Sequence, residues 1–326
     1  MAKRTTTEAF NEFDENLKLD PNERALAEKM HNDITDLLRA AGIVTYAFLQ
    51  GSFARKTMIA PLRDVDKIVV LTEAMRTLTP DQVMDRIQAV IADAYPYVTF
   101  DRSRHALQVD FGSDSFYFDM VPAWETTTDD DDVLIANRDT GGWDRSNTRE
   151  LIRVVATRNG DTNGRFIHEV RMGKQGVKHL LDGLVPGLHV ESWAYMAVTA
   201  AMAHDEALAR IFETGAQLLG RTYTDPTGVD VISKRLKPGV IATAKPVFQM
   251  AAADARQARQ LTDAGDHEAA IAIWFNILGV CFPAPDDQAA IRSSFAPGAA
   301  ITAAGAVSRA GQGAQRTQPV RPWRPR

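Results

Sequence analysis

Apolar and polar residues alternate along this chain with two different periods, and the changeovers divide it into segments. Over residues 7–41 apolar positions recur at helical spacing among charged ones and Gly42 closes the run, which predicts one long first helix. The apolar stretch Val44–Leu49 predicts a strand that leads into a Gly51-Ser52 turn. A second strand is expected at Asp64–Leu71 and an amphipathic helix at Pro80–Ala94. Residues 97–122 read as a set of short antiparallel strands with a hairpin turn at Gly112-Ser113-Asp114. From Asn147 onward the period becomes mostly helical, with stretches near 163–183, 188–203, 205–219, 243–264 and 266–279. Residues 295–326 are rich in Ala, Gly, Pro and Arg without apolar periodicity, the composition of a disordered basic tail. The expectation is an α+β chain: a mixed lobe over 1–145 that carries the long N-terminal helix, a helical lobe over 146–294, and the tail.

Composition narrows the function classes. With 326 residues, 45% of them hydrophobic, the chain can bury a substantial core. Its single cysteine, Cys281, excludes an internal disulfide and a cysteine zinc cluster, which fits a reducing compartment. Apolar stretches are interrupted too soon to span a bilayer and no signal peptide is evident, so a cytoplasmic protein with no membrane partner is expected. The net charge is −5, and residues 308–326 contribute five arginines and no acid, so the body is more acidic still. Such a body is a poor general nucleic-acid binder, which argues against an enzyme working on a template. The run Asp129-Asp130-Asp131-Asp132 reads as a solvated loop of mutually repelling charges.

Chemistry concentrates between residues 50 and 120. Asp64 and Asp66 stand two apart on a strand, so both carboxylates project from one face. That is a hard-oxygen donor set suited to Mg2+, which completes its shell with water and substrate phosphates. Gly51 and Ser52 just upstream can start a helix whose free N–H groups face an anion. Two-ion chemistry needs a third carboxylate. Asp119, an isolated acid in Phe116-Tyr117-Phe118-Asp119-Met120-Val121-Pro122, is the best choice, because such an acid is costly to bury unless paired or bound to metal. It is also a candidate to help deprotonate an acceptor hydroxyl. Asp110, closer to a turn, is its rival. For the phosphates, Arg171, Lys174 and Lys178 lie at i, i+3 and i+7 on one helical face, with Gly173 and Gly176 as breaks in the register. Lys56 and Arg63 flank the acidic motif.

The order Gly-Ser, then Asp-x-Asp after Pro-Leu, then Phe-Asp-Met-Val-Pro-Ala on a later strand resembles the polymerase-β-like nucleotidyltransferases. More narrowly it is similar to the bacterial cGAS/DncV-like nucleotidyltransferases, or CD-NTases. The likeness is sharp over residues 49–72 and 115–124 and general over the helical remainder. It implies a polymerase-β-like catalytic lobe and a Mg2+-dependent enzyme in which Mn2+ substitutes. The activity implied is template-independent joining of nucleoside triphosphates into a cyclic di- or trinucleotide signal in anti-phage defence. A 2′ or 3′ hydroxyl would attack the α-phosphate. The resemblance further implies nucleotide contacts at Gln50, Gly51 and Ser52, a second-lobe lysine on the donor phosphates (Lys174 first, Lys178 second) and a serine after it, Ser192. Regulatory proteins of a defence system are the partners implied. An enzyme of the same fold that transfers a nucleotide to an antibiotic, a protein or a tRNA end carries the same motif.

Overall fold

The computed structural model describes residues 3–112, 116–126, 133–285, 300–301 and 307–308. Its N-terminal helical stretch is two helices, α1 (Thr6–Leu17) and α2 (Pro21–Ala40), where the sequence pattern suggested one. The break follows from Pro21, which has no N–H to continue a helix, and from Asp20, whose carboxylate accepts the Asn22 N–H at 2.7 Å and caps the new start. Separating the two lets them serve different cores. Phe10, Phe13 and Leu17 of α1 are buried among the helices of the second half, whereas Ala27, Ile34 and Leu38 of α2 pack on the sheet. The assignment of everything before residue 146 to one lobe is corrected accordingly: α1 is the first helix of the helical core.

The sheet is built from β1 (Val44–Leu49), β2 (Asp64–Leu71), β3 (Thr99–Arg102), β4 (Leu107–Asp110), β5 (Tyr117–Glu125), β6 (Val133–Asn137) and β7 (Gly142–Ser146). Between β1 and β2 lies the one-turn helix α3 (Gly51–Ala54); between β2 and β3 lies α4 (Pro80–Ala94). The strand order is β1-β2-β5-β4-β3, with β6 and β7 added beyond β5. Among the described residues only the β2/β5 pair of this sheet is parallel. Val65, Val69, Phe118 and Met120 face α2 and α4 across one core, while Ile68, Val70, Val121 and Ala123 point to the other face. The sequence pattern stopped the later strand at Pro122, yet β5 continues to Glu125. Pro122 is tolerated because its missing N–H falls where the β4 ladder has ended, at Met120, and the β6 ladder has not begun, at Ala123.

The second half is helical: α5 (Thr148–Asp161), α6 (Phe166–Leu181), α7 (Gly187–Ala197), α8 (His204–Leu218), α9 (Pro238–Asp263) and α10 (His267–Leu278). Helix α6 runs unbroken through Gly173 and Gly176. A β-carbon at Gly176 would stand 2.9 Å from the Phe212 ring and 3.0 Å from Leu278, so the glycines let α8 and α10 approach α6 and do not end it. α1 is pinned to α6 by Asp14, whose Oδ1 accepts from Arg171 at 2.9 Å and whose Oδ2 lies 2.7 Å from His168 Nδ1. Burial works to raise the Asp14 pKa, but His168 and Arg171 outweigh it and bring it to about 2. Among the described residues no helix is long and apolar enough to cross a membrane. Of the expected tail, Ala300–Ile301 and Val307–Ser308 pair as two short antiparallel strands, β8 and β9. The rest of it, the acidic run at 129–132 and the turn at Ser113-Asp114 lie outside the described residues.

Candidate active site

Parity and register bring the three aspartates together. Asp64 and Asp66 share a face of β2, and the parallel ladder sets Asp66 directly beside Asp119 of β5 and Asp64 beside Tyr117. Asp119 and Tyr117 have the same parity on β5, so all four project from the sheet face opposite α2 and α4. The electrostatics follows from that arrangement. Burial first, and then the like charges of Asp64 and Asp119, push Asp66 up to about 6 against the opposing pull of Arg55 and Lys174. Burial also raises Asp119, with Asp64 adding to it, although Gln108 Nε2 donates to its Oδ1 at 3.4 Å. The Tyr117 phenol is raised by burial and by all three carboxylates in turn. Asp110, by contrast, spends Oδ1 on the Gly112 N–H at 2.8 Å and serves the turn.

Neighbouring carboxylates whose like charges raise Asp66 and Asp119 make a donor set that a divalent cation relieves. Among the described residues no three or more His, Cys, Asp or Glu side chains are already gathered closely enough to hold a metal ion by themselves. An open set fits Mg2+ better than a cage, since that ion keeps water and phosphate oxygens in its shell. Asp64, Asp66 and Asp119 are the residues that could hold it.

Gly51 is the hinge between this acidic edge and the turn before it. Its φ is +65°, and a β-carbon there would lie 1.7 Å from Asp66 Oδ2, so only glycine lets the turn pass over the carboxylate. Gln50 anchors the turn on both sides: its N–H donates to the Asp66 carbonyl at 2.9 Å, and its side-chain oxygen accepts from Thr148 of α5 at 2.7 Å. The first amide groups of α3, at Gly51 and Ser52, have no intrahelical acceptor.

A cleft of about 410 Å³ opens between the lobes in front of Asp64 and Asp66. Gly51, Ser52, Arg55 and Arg63 from the sheet lobe and Lys174, Lys178 and Leu188 from the helical half line it. Lys178 and Arg63 are exposed at its rim. Lys174 is held: Nζ donates to the Thr57 carbonyl at 3.2 Å, to Thr57 Oγ1 at 3.0 Å and to Glu191 Oε2 at 3.1 Å. Arg171, the third member of the basic stripe, faces away to Asp14. Ser192 is fully buried and donates to the Leu188 carbonyl at 2.9 Å, and it is not among the residues that line the cleft.

Sequence reasoning passed over Arg55, Thr57 and Glu191. Glu191 has no exposed surface; Arg55 Nε donates to its Oε1 at 2.5 Å and Thr57 to its Oε2 at 2.9 Å. Burial acts to raise Glu191, but Arg55 and Lys174 outweigh it and hold it at about 2. The signal that exposed Asp119, a lone acid among apolar residues, also marks Glu191 within Leu188-His189-Val190-Glu191-Ser192-Trp193-Ala194.

Residues 5–159 match the family model of the Second Messenger Oligonucleotide or Dinucleotide Synthetase domain. Among curated proteins none matches this chain. Among solved structures, the CD-NTase CdnG of Bradyrhizobium diazoefficiens in complex with GTP is 15% identical, with a TM-score of 0.68 over 88% of this chain and 97% of that one. CdnC of E. coli MS115-1 in its complex with HORMA-deltaN is 16% identical, with a TM-score of 0.64 over 85% and 98%. DncV of Vibrio cholerae, a cyclic AMP-GMP synthase solved with a linear intermediate, is 12% identical, with a TM-score of 0.59 over 73% and 69%. These likenesses establish the fold.

Proposed function

We propose that this chain, a bacterial cGAS/DncV-like nucleotidyltransferase (CD-NTase) by its synthetase domain and its fold, joins nucleoside triphosphates without a template into a cyclic di- or trinucleotide signal. The observation that carries the reading is the convergence of Asp64, Asp66 and Asp119 on one sheet face, with Asp64 and Asp66 lining an interlobe cleft that Arg55, Arg63, Lys174 and Lys178 also line. The three carboxylates would hold Mg2+, with Mn2+ as a substitute. When bound, such an ion neutralises charge on the reacting phosphate and makes a hydroxyl easier to deprotonate.

The chain's own residues do the rest by position and charge. Gly51 and Ser52 offer backbone and hydroxyl donors to the phosphates, and Lys178 and Arg63 are exposed cations of the cleft lining that can close on them. A 2′ or 3′ hydroxyl of the acceptor forms the new O–P bond at the α-phosphate, the bond to the β-phosphate breaks, and pyrophosphate leaves. Asp119, with its proton affinity raised by burial, is the group proposed to take the hydroxyl proton. Repeating the step within the bound linear product closes the ring. By the same family reading the signal serves anti-phage defence in the cytoplasm under control of a protein partner. The HORMA complex of the E. coli relative supports that kind of partner.

The test is incubation of the purified protein with each α-labelled nucleoside triphosphate, singly and mixed, with Mg2+ or Mn2+, then phosphatase digestion and mass spectrometry. Phosphatase-resistant cyclic products that vanish in a folded Asp64→Asn variant are expected. Transfer of a nucleotide only when an antibiotic, protein or tRNA is added would replace this reading with the acceptor-modifying one.

A further inference from the structure

Four residues from three elements meet at the cleft wall: Arg55 and Thr57 just after α3, Lys174 on α6 and Glu191 on α7. They tie the two lobes together across 136 positions of sequence. The carboxylate of Glu191 is the one anion that both cations contact. An ammonium has three protons, and all three of Lys174 are committed, to Thr57 twice and to Glu191 once. Its stem runs past Gly187, where a β-carbon would stand 3.1 Å from Lys174 Cε, so neither end of the side chain is free to move. Arg55 and Lys174 nonetheless line the same cleft as Asp64 and Asp66.

We infer that Glu191 is a positioning residue for phosphate recognition, holding Arg55 and Lys174 in place before any nucleotide enters, as a preorganised cationic wall for the β- and γ-phosphates. The inference rests on the triphosphate reading of the cleft but not on cyclisation. Two cations held by one anion leave one positive charge uncompensated at the wall, close to where charged phosphates would lie. Fixed charge of this kind attracts the phosphates without a side chain having to rearrange. Among the described residues nothing braces Lys178 and Arg63 in this way, and both are exposed. The role also accounts for a fully buried carboxylate in an otherwise apolar helix, a costly choice for stability alone.

Binding of each ribonucleoside triphosphate and of the matching monophosphate, with Mg2+, measured by calorimetry on wild type, Glu191→Gln and Thr57→Val, tests the idea. Glutamine keeps the shape but removes the charge; valine is isosteric, neutral, and removes the Thr57 hydroxyl that bonds both Glu191 and Lys174. Glu191→Gln is expected to weaken triphosphate binding tenfold or more and Thr57→Val about threefold, with less than twofold change for monophosphates and unchanged circular dichroism. Equal losses for both ligands, or triphosphate affinity within twofold of wild type, would overturn the inference and reduce the network to an interlobe brace. If Glu191→Gln does not fold, Thr57→Val decides by the same ratio. Wild type that binds triphosphates but makes no cyclic product removes the functional reading and leaves this one standing. Wild type that binds no triphosphate removes both.

Discussion

Replacing Gly51 by alanine separates the geometry of the acidic edge from general stability. The added methyl would sit 1.7 Å from Asp66 Oδ2, where ordinary contact begins at 3.4 Å, so the carboxylate or the turn must shift by roughly 1–2 Å. A misplacement of about 1 Å at a reacting centre can cost on the order of 10²-fold in rate, or about 2.7 kcal/mol of transition-state stabilisation. The φ of +65° adds about 1–2 kcal/mol of backbone strain for any residue with a β-carbon. Gly42 supplies the control: its φ is +71°, no atom lies within 4 Å of its virtual β-carbon, and it stands at the end of α2 away from the cleft. Gly42→Ala therefore suffers the backbone strain alone. Both variants should lose a few degrees in melting temperature, but only Gly51→Ala should lose about a hundredfold in initial rate of cyclic product. Product formation by Gly51→Ala within threefold of Gly42→Ala would refute the argument that Gly51 exists to make room for Asp66.

Further outcomes follow from the same contacts. Asp66 sits near 6 when folded and near 3.8 when unfolded, so its ionisation opposes folding above pH 6 and that cost fades as pH falls through 6; without metal, Asp66→Asn should melt higher than wild type at pH 7.5, by up to about 3 kcal/mol, and lose the advantage at pH 4. Mg2+ should raise the melting temperature more at pH 7.5 than at pH 5, because protons compete for the same carboxylates, and EDTA should reverse it. Asp14 is depressed to about 2, so its contribution is present above pH 4 and lost as pH falls toward 2; Asp14→Asn should cost about 2 kcal/mol at pH 7 in urea titrations, the deficit shrinking below pH 4. Gly176→Ala forces a methyl against Phe212 and Leu278 and should destabilise by about 1–3 kcal/mol, read as a lower urea midpoint.

Much of this protein is written in local signals. Apolar runs marked β1 and β2, helical spacing marked α4 and α6 to α10 but passed over α5, and the Gly-Ser and Asp-x-Asp motifs lie on a one-turn helix start and a strand. Short-range patterns work here because each reports only on its neighbours' faces. They failed where a neighbour in space changed the outcome. Gly173 and Gly176 read as breaks, yet α6 continues because α7, α8 and α10 crowd against them. Pro122 read as a strand end, yet β5 passes it at a gap between two ladders.

The sequence alone determined which residues are candidates for the chemistry: two carboxylates on one face of a strand, a third in an apolar run, and a glycine-serine turn ahead of them. Those are properties of residue type and spacing, set by backbone geometry. Tertiary structure decided which of them meet. The parallel β2/β5 register puts Asp66 beside Asp119, and the packing of two lobes turns Lys174 toward Glu191 and Arg171 toward Asp14 from the same basic stripe. A helix face specifies what a residue can reach, but only the partner helix and the burial it imposes select the charge that it pairs with.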